Sequence, residues 1–282
     1  RSCIRRTFDD KGVDYISEIT LKNAYDLETL LHWNEQHDIK FFRLSSDICP
    51  WASEFDMNTM KDIKEIKQVL ARAGAYAQAH SHRLTSHPGQ FNVLCSPKPN
   101  VVERSITDLT IHGTIFDWLG LPRSPYAKIN IHLGGAYGDK EASMKRFCEA
   151  FQRLPDSVKT RLTVENDDKA SMYSVVDLYE GVYKVIGIPI VFDYHHHRFN
   201  TGGLSEEDAL EVAISTWGDV VPVVHYSESR NIEQEDDKIR PQAHSDYVYD
   251  YINTYDNRVD IMVEAKAKEL AVLKYKEVHG IL

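Results

Sequence analysis

The chain has 282 residues, 42% hydrophobic and 27% charged, which fits one large α/β barrel or two ordinary domains and offers no apolar run able to span a bilayer. Its net charge of −10 argues against a generic nucleic-acid coat. It leaves a nuclease open, because acids that ligate cations are neutralised locally.

Cys3, Cys49, Cys95 and Cys148 lie too far apart for a zinc knuckle or a secreted disulfide framework. With Arg1, Arg5 and Arg6 around a single Ile4, no signal-peptide pattern opens the chain. A cytoplasmic protein is expected, used at the nucleoid if the source is prokaryotic or viral.

Strand-like and helix-like segments alternate, the pattern of βα units around a parallel sheet. Phe41–Leu44 reads as a strand, and an amphipathic helix from about Met57 carries Met60, Ile63, Ile66, Val69 and Leu70 at helical spacing. The next strand begins near Arg83 and ends in His87. A helix capped near Asn100 carries Val101, Ile106, Leu109, Ile115 and Leu119 and stops at Gly120–Pro122. A strand near Lys128 ends in His132, and Gly134 and Gly135 turn the chain into a helix from about Ser143 to Leu154. Strands near residues 161, 189, 221 and 260 end in Glu165, Asp193, His225 and Glu264. Helices are expected at Met172–Ile186, Ser205–Thr216, Tyr247–Thr254 and Lys266–Val278.

That makes seven strands, where a (β/α)8 TIM barrel needs eight. The first is expected to be absent, or hidden in the weakly patterned stretch before residue 20. Without repeats or an interdomain linker, residues 1–282 are expected to form a single TIM-barrel domain.

The strand ends carry the chemistry. A parallel barrel presents the C-terminal ends of its strands on one face. His87, His132, Glu165, Asp193, His225 and Glu264 would therefore form a cage of imidazoles and carboxylates, suited to a hard or borderline divalent cation such as Mn2+ or Zn2+. Asp193 and the triplet His195–His197 form a second constellation, whose spacing favours His196 as a ligand. His195 and His197 are left as surface or supporting groups. Asn166 and Asp167 are candidates to orient ligands, and Asp168 to cap the next helix. In His87–Phe91, Pro88 and Gly89 set a turn that leaves Gln90 and Phe91 at its tip, one to hydrogen-bond a base edge and the other to stack. The competing reading is an ordinary turn with a buried Phe91.

Taken together, His87–Phe91, Ile131–Gly135, Gly138–Lys140, Arg161–Asp167, Phe192–His196 and Val263–Lys266, with Arg43–Ser46 upstream, resemble the UV damage endonucleases. The resemblance runs from about residue 40 to the C-terminus. It implies a TIM barrel similar to endonuclease IV. It also implies a three-metal cluster, probed with Mn2+ first and with Zn2+ or Mg2+ as alternatives, and damaged double-stranded DNA as substrate. The backbone would be nicked 5′ of pyrimidine dimers and 6-4 photoproducts, with abasic sites as a further class, leaving a 3′-hydroxyl and a 5′-phosphate.

Carried over by position, His87, His132 and Glu165 would hold the first metal. Glu165, Asp193, His225 and Glu264 would hold the second, and His196 and His244 the third. Glu165, His225 and Glu264 are expected at the catalytic centre, Gln90 and Phe91 as the lesion-probing pair, and Arg230 on phosphate. A monomer without membrane contact is expected.

Two positions depart from the family pattern. Val223 stands where a modified lysine is common, and Glu54 where an imidazole is expected. A metal-dependent sugar isomerase on the same barrel is the rival reading, and a lesion binder without nuclease activity the other.

Overall fold

In the computed structural model, which describes residues 1–281, no strand precedes Phe41 among the described residues. The expectation of a strand before residue 20 is corrected by a helix, Arg5–Gln36, broken once at Gly12 (φ 68°, ψ −165°). Ile16, Ile19, Ala24, Leu27 and Leu31 are its buried apolar residues, a helical period that the polar residues between them mask. That stripe packs on the helix Ile63–Ala79. The chain divides into two compact units, Arg1–Ile131 with Glu149–Leu162, and His132–Cys148 with everything described from Thr163 on.

Seven strands pair in sequence order: β1 (Phe41–Leu44), β2 (Arg83–Ser86), β3 (Ile129–His132), β4 (Leu162–Glu165), β5 (Ile190–Asp193), β6 (Val223–Tyr226) and β7 (Asp260–Val263). These are the seven strands expected from the sequence. In the first unit β1 pairs in parallel with β2 along its whole length, from Phe41 opposite Arg83 to Leu44 opposite Ser86, and Ser86 faces Ile129. In the second, parallel pairing sets Val164 opposite Ile190, Asp193 opposite His225, and His225 opposite Met262. Nearly every residue of β2 to β6 is buried, as in strands covered on both faces.

Arg161, just before β4, is fully buried and clamps the first unit. Its guanidinium donates to Asp117 Oδ1 at 2.8 Å and to the carbonyls of Leu121 and Pro122 at 2.6 and 3.0 Å.

Several helix boundaries move. Met57–Thr59 is a 3-10 turn, and the α-helix expected from Met57 begins at Ile63. The helix expected to be capped near Asn100 is Pro99–Trp118, and the one expected from Ser143 is Lys140–Phe151. The run expected from Met172 starts at Val175 and passes through a π-turn, Tyr179–Tyr183. Its cap is Ser174, in a capping box with Asp177, and not Asp168.

The last expected helix, Lys266–Val278, is found as Glu269–His279. Tyr247–Thr254 forms no helix at all. The backbone polar groups of this segment go to side chains instead. Glu228 accepts from the amides of Tyr249 and Asp250 at 2.9 Å each, the Tyr275 hydroxyl accepts from Ile252, and the Tyr194 hydroxyl donates to the Asn253 carbonyl.

Candidate metal centre

The second unit draws five of the expected ligands into one buried cluster. Glu165 ends β4 and is 1% exposed, while Asp193 ends β5 and His225 lies in β6, both fully buried. Glu264 follows β7 directly, and its amide donates to the Tyr226 carbonyl at 2.8 Å, which fixes it beside the end of β6. His225 Nδ1 stands between Glu165 Oε2 at 3.1 Å and Glu264 Oε1 at 3.2 Å. Two candidate ligand groups lie wholly in this unit: Glu165 with Asp193 and His196, and Asp193 with His225 and Glu264. Within each, one ligand atom per residue lies within 4.8 Å of the others.

Asp193 also caps the short helix Tyr194–Phe199, its Oδ1 accepting from the His196 amide at 2.8 Å. The cap sets which histidine faces the cluster. His196 Nδ1 lies 3.4 Å from Glu165 Oε1 and 2.9 Å from the Asn166 carbonyl, so donation to that carbonyl would leave Nε2 for a ligand. At about 100° per residue, its two neighbours turn elsewhere. His195 and His197 are buried in the core against Phe199 and Phe192, and neither is a surface group.

The supporting groups are where the sequence placed them. Asn166 is fully buried. Its Nδ2 donates to the Asp193 carbonyl at 3.0 Å, and its Oδ1 accepts from the Asp193 amide at 2.8 Å, so one side chain holds a ligand's backbone from both sides. Asp167 Oδ1 lies 3.1 Å from His132 Nδ1 at the end of β3. Tyr173 was not foreseen. It is buried, its carbonyl accepts from the Asp167 amide at 2.8 Å, and nothing in the local sequence marks it out. His244 joins neither group: its Nδ1 lies 3.7 Å from Glu264 Oε2, and its ring stands edge-on to His195.

The electrostatics fit cation binding. Burial lifts the Asp193 carboxyl to about 7, with Glu165 and Glu264 adding to the rise against His196. Burial alone would lower His132, yet Glu165, Asp167 and Asp193 outweigh it and raise the imidazole to about 10. Asp193 Oδ2 is buried with no hydrogen-bond partner among the described residues. A buried carboxylate oxygen of this kind is costly unless a proton or a cation meets it. Carboxylates and imidazoles together are the donor set of hard and borderline divalent ions, so the residues present fit the metal that their types suggest.

Val223, fully buried, sits two residues before His225 in β6 and puts an aliphatic side chain where the resemblance leads one to expect lysine. Arg230, expected on phosphate, lies 4.0 Å from Asp246.

In the first unit, β2 runs into the expected loop. The His87 carbonyl accepts from Ser46 Oγ at 3.0 Å, and the Asn92 amide closes a turn on the Gly89 carbonyl at 3.1 Å. Asn92 Nδ2 ties that turn to Asp108 at 2.7 Å. Gln90 and Phe91 are exposed at the tip, Phe91 by 82%, which overturns the reading of a buried phenylalanine. Glu54 is a surface residue that pairs with Arg5 at 3.4 Å.

A family model described as UV-endonuclease UvdE matches residues 3–281. The chain belongs to that family. Membership makes it a DNA repair endonuclease. The UV DNA damage endonuclease of Bacillus mycoides (strain KBAB4) is 37% identical over 275 residues, which cover 93% of this chain and 82% of that protein. That of Bacillus thuringiensis subsp. konkukian (strain 97-27) is 35% identical over 276 residues with the same coverage. The crystal structure of SacUVDE matches with a TM-score of 0.85 and 31% identity, covering all of this chain and 94% of the other.

The fold is accordingly a TIM barrel, with seven parallel strands among the described residues. A D-psicose 3-epimerase from Clostridium cellulolyticum H10 matches with a TM-score of 0.53 and 14% identity over 72% of this chain and 68% of its own, a likeness of fold alone. No helix among the described residues is long and apolar enough to cross a membrane.

Proposed function

We propose that this endonuclease hydrolyses the DNA backbone immediately 5′ of UV photoproducts, pyrimidine dimers and 6-4 photoproducts, leaving a 3′-hydroxyl and a 5′-phosphate, and that it needs divalent metal to do so. The observation that carries the reading is the buried cluster of Glu165, Asp193, His196, His225 and Glu264 in a chain of this family.

Glu165 and His132, with His87 added by the resemblance, would hold one cation. Glu165, Asp193, His225 and Glu264 would hold a second, and His196 with His244 a third, with Mn2+ as the first ion to test. Bound divalent cations supply acidified water, with a pKa of roughly 7, and offset charge on the attacking and leaving oxygens of the phosphodiester.

The protein's own share is positional. Asn166 fixes the Asp193 backbone, Asp167 orients His132, and Asp193 aims His196. Gln90 and Phe91 are the residues to enter the stack where a damaged dinucleotide leaves it. A lesion lowers the unstacking cost, which is on the order of a few kcal/mol, and that difference supplies selectivity. The family match over 3–281 supports reading the whole chain as one domain.

The test is a defined duplex with one pyrimidine dimer, incubated with Mn2+ or with chelator beside an undamaged control. A cut directly 5′ of the dimer, present only with metal, is the expected outcome. Glu165→Gln is expected to slow nicking by at least about a hundredfold, the upper end for a group that only orients a ligand. Near-normal rates for that variant would sink the ligand assignment. Binding without any cut by the metal-loaded wild type would favour the lesion binder instead.

A further inference from the structure

The loop that leaves β3 carries an aromatic residue that the metal cluster does not use. Tyr137 is 53% exposed, on a left-handed backbone (φ 49°) between Gly134 and Gly138 at φ 108° and 81°. A side chain other than glycine in that region is held there only where its surroundings over-determine it. Here they do. The Tyr173 hydroxyl donates to the Gly135 carbonyl at 3.3 Å, and both Ser143 Oγ and the Asp139 amide donate to the Ala136 carbonyl, at 2.8 and 2.9 Å.

The ring is placed as firmly as the backbone. It lies on Gly135, where a β-carbon would come within 3.1 Å of Tyr137 Cε2. The Arg146 guanidinium stands 5.8 Å from its centroid and is itself tied to Ser143 Oγ at 2.7 Å. More than half of the residue still faces solvent. The loop is also coupled to the metal centre: His132 meets Asp167 at 3.1 Å, the Asp167 amide donates to the Tyr173 carbonyl at 2.8 Å, and Tyr173 holds Gly135. One chain of polar contacts therefore runs from a candidate ligand to the base of this tyrosine.

We propose that Tyr137 is a base-stacking residue at the rim of the site, a second aromatic contact to the DNA besides Phe91, and that Gly135 and Arg146 hold its ring ready for a nucleobase. The proposal rests on the DNA-nicking reading. A preordered ring loses little freedom on binding, and stacking tolerates any base because each has a π-face. Stacking releases no counterions, so it adds nothing to the salt dependence of binding.

The test is nicking of the single-dimer duplex by the Mn2+-loaded protein, with KM and kcat separated and repeated across salt concentrations. Y137A is expected to raise KM by about five- to a hundredfold with kcat within about threefold, and Y137F, which keeps the ring, to restore KM. Y137G, which relieves the backbone, should match Y137A in KM, so that loss of the ring and not strain is what is read. The slope of log(kcat/KM) against log salt should be the same for all four proteins. A KM within twofold of wild type for Y137A, or a slope reduced by about one, the mark of a lost phosphate contact, overturns the proposal. If the wild type does not nick, the functional reading fails by itself, and the same variants are compared by direct binding to the duplex. Equal binding then overturns stacking as well.

Discussion

Asp193 and His132 both hold protons more tightly than their residue types usually do, and a cation must displace those protons to bind. Burial lifts Asp193 to about 7, and the surrounding carboxylates raise His132 to about 10 against the pull of burial. Metals bind the deprotonated forms, so affinity for Mn2+ should rise with pH: the cation held by His132 should release that imidazole's proton below about pH 10, and the cation held by Asp193 that carboxyl's proton below about pH 7. Titration calorimetry in buffers of different ionisation enthalpy measures that release. Binding of equal strength at pH 6 and pH 8, with no proton released, would contradict the environments described for these two side chains. The same scale settles the three consecutive histidines. Sequence spacing favoured His196, and the Asp193 cap explains why: it starts a helix there, and the rotation per residue sends His195 and His197 into the core.

At the scale of elements, close approach between helices decides what the first unit tolerates. Gly74, in Ile63–Ala79, faces the C-terminal end of Pro99–Trp118 so closely that a β-carbon would lie 1.7 Å from the Leu119 carbonyl oxygen. Backbone cannot yield as a side chain tip can. Gly74→Ala is therefore expected to cost at least about 3 kcal/mol, the upper end for overpacking a core. Urea unfolding monitored by circular dichroism would read it as a lower midpoint at unchanged slope. Gly181→Ala is the matched comparison, because its neighbour is the flexible Met144 side chain and its cost should be smaller. Elements also show where local pattern misleads. Tyr247–Thr254 is expected as a helix, yet its aromatic and β-branched residues are poor helix formers, and Glu228, Tyr194 and Tyr275 satisfy its backbone groups instead. Arg5–Gln36 hides its apolar stripe among polar residues and gives no strand signal because it is a helix.

For the whole molecule, folding stability should depend on metal. Glu165, Asp193 and Glu264 crowd negative charge into a buried volume of a chain whose net charge is already −10. A ligand that binds only the folded state adds about 2.7 kcal/mol at a hundred times its dissociation constant. Adding Mn2+ to chelated protein is therefore expected to raise Tm by several degrees, and Glu165→Gln to diminish that gain. A Tm indifferent to Mn2+ and chelator would argue against any cation in the cluster.

The sequence by itself determined the strands and the residue types at their ends, because short apolar runs and the first polar residue after them are local features. It also determined the family, because the ordered motifs from Arg43 to Lys266 are long enough to be specific. The tertiary structure alone decided that His225 stands between Glu165 and Glu264 and that Asn166 grips Asp193 by both backbone groups. Those are contacts between segments far apart in the chain, set by register and packing, and no local pattern encodes them.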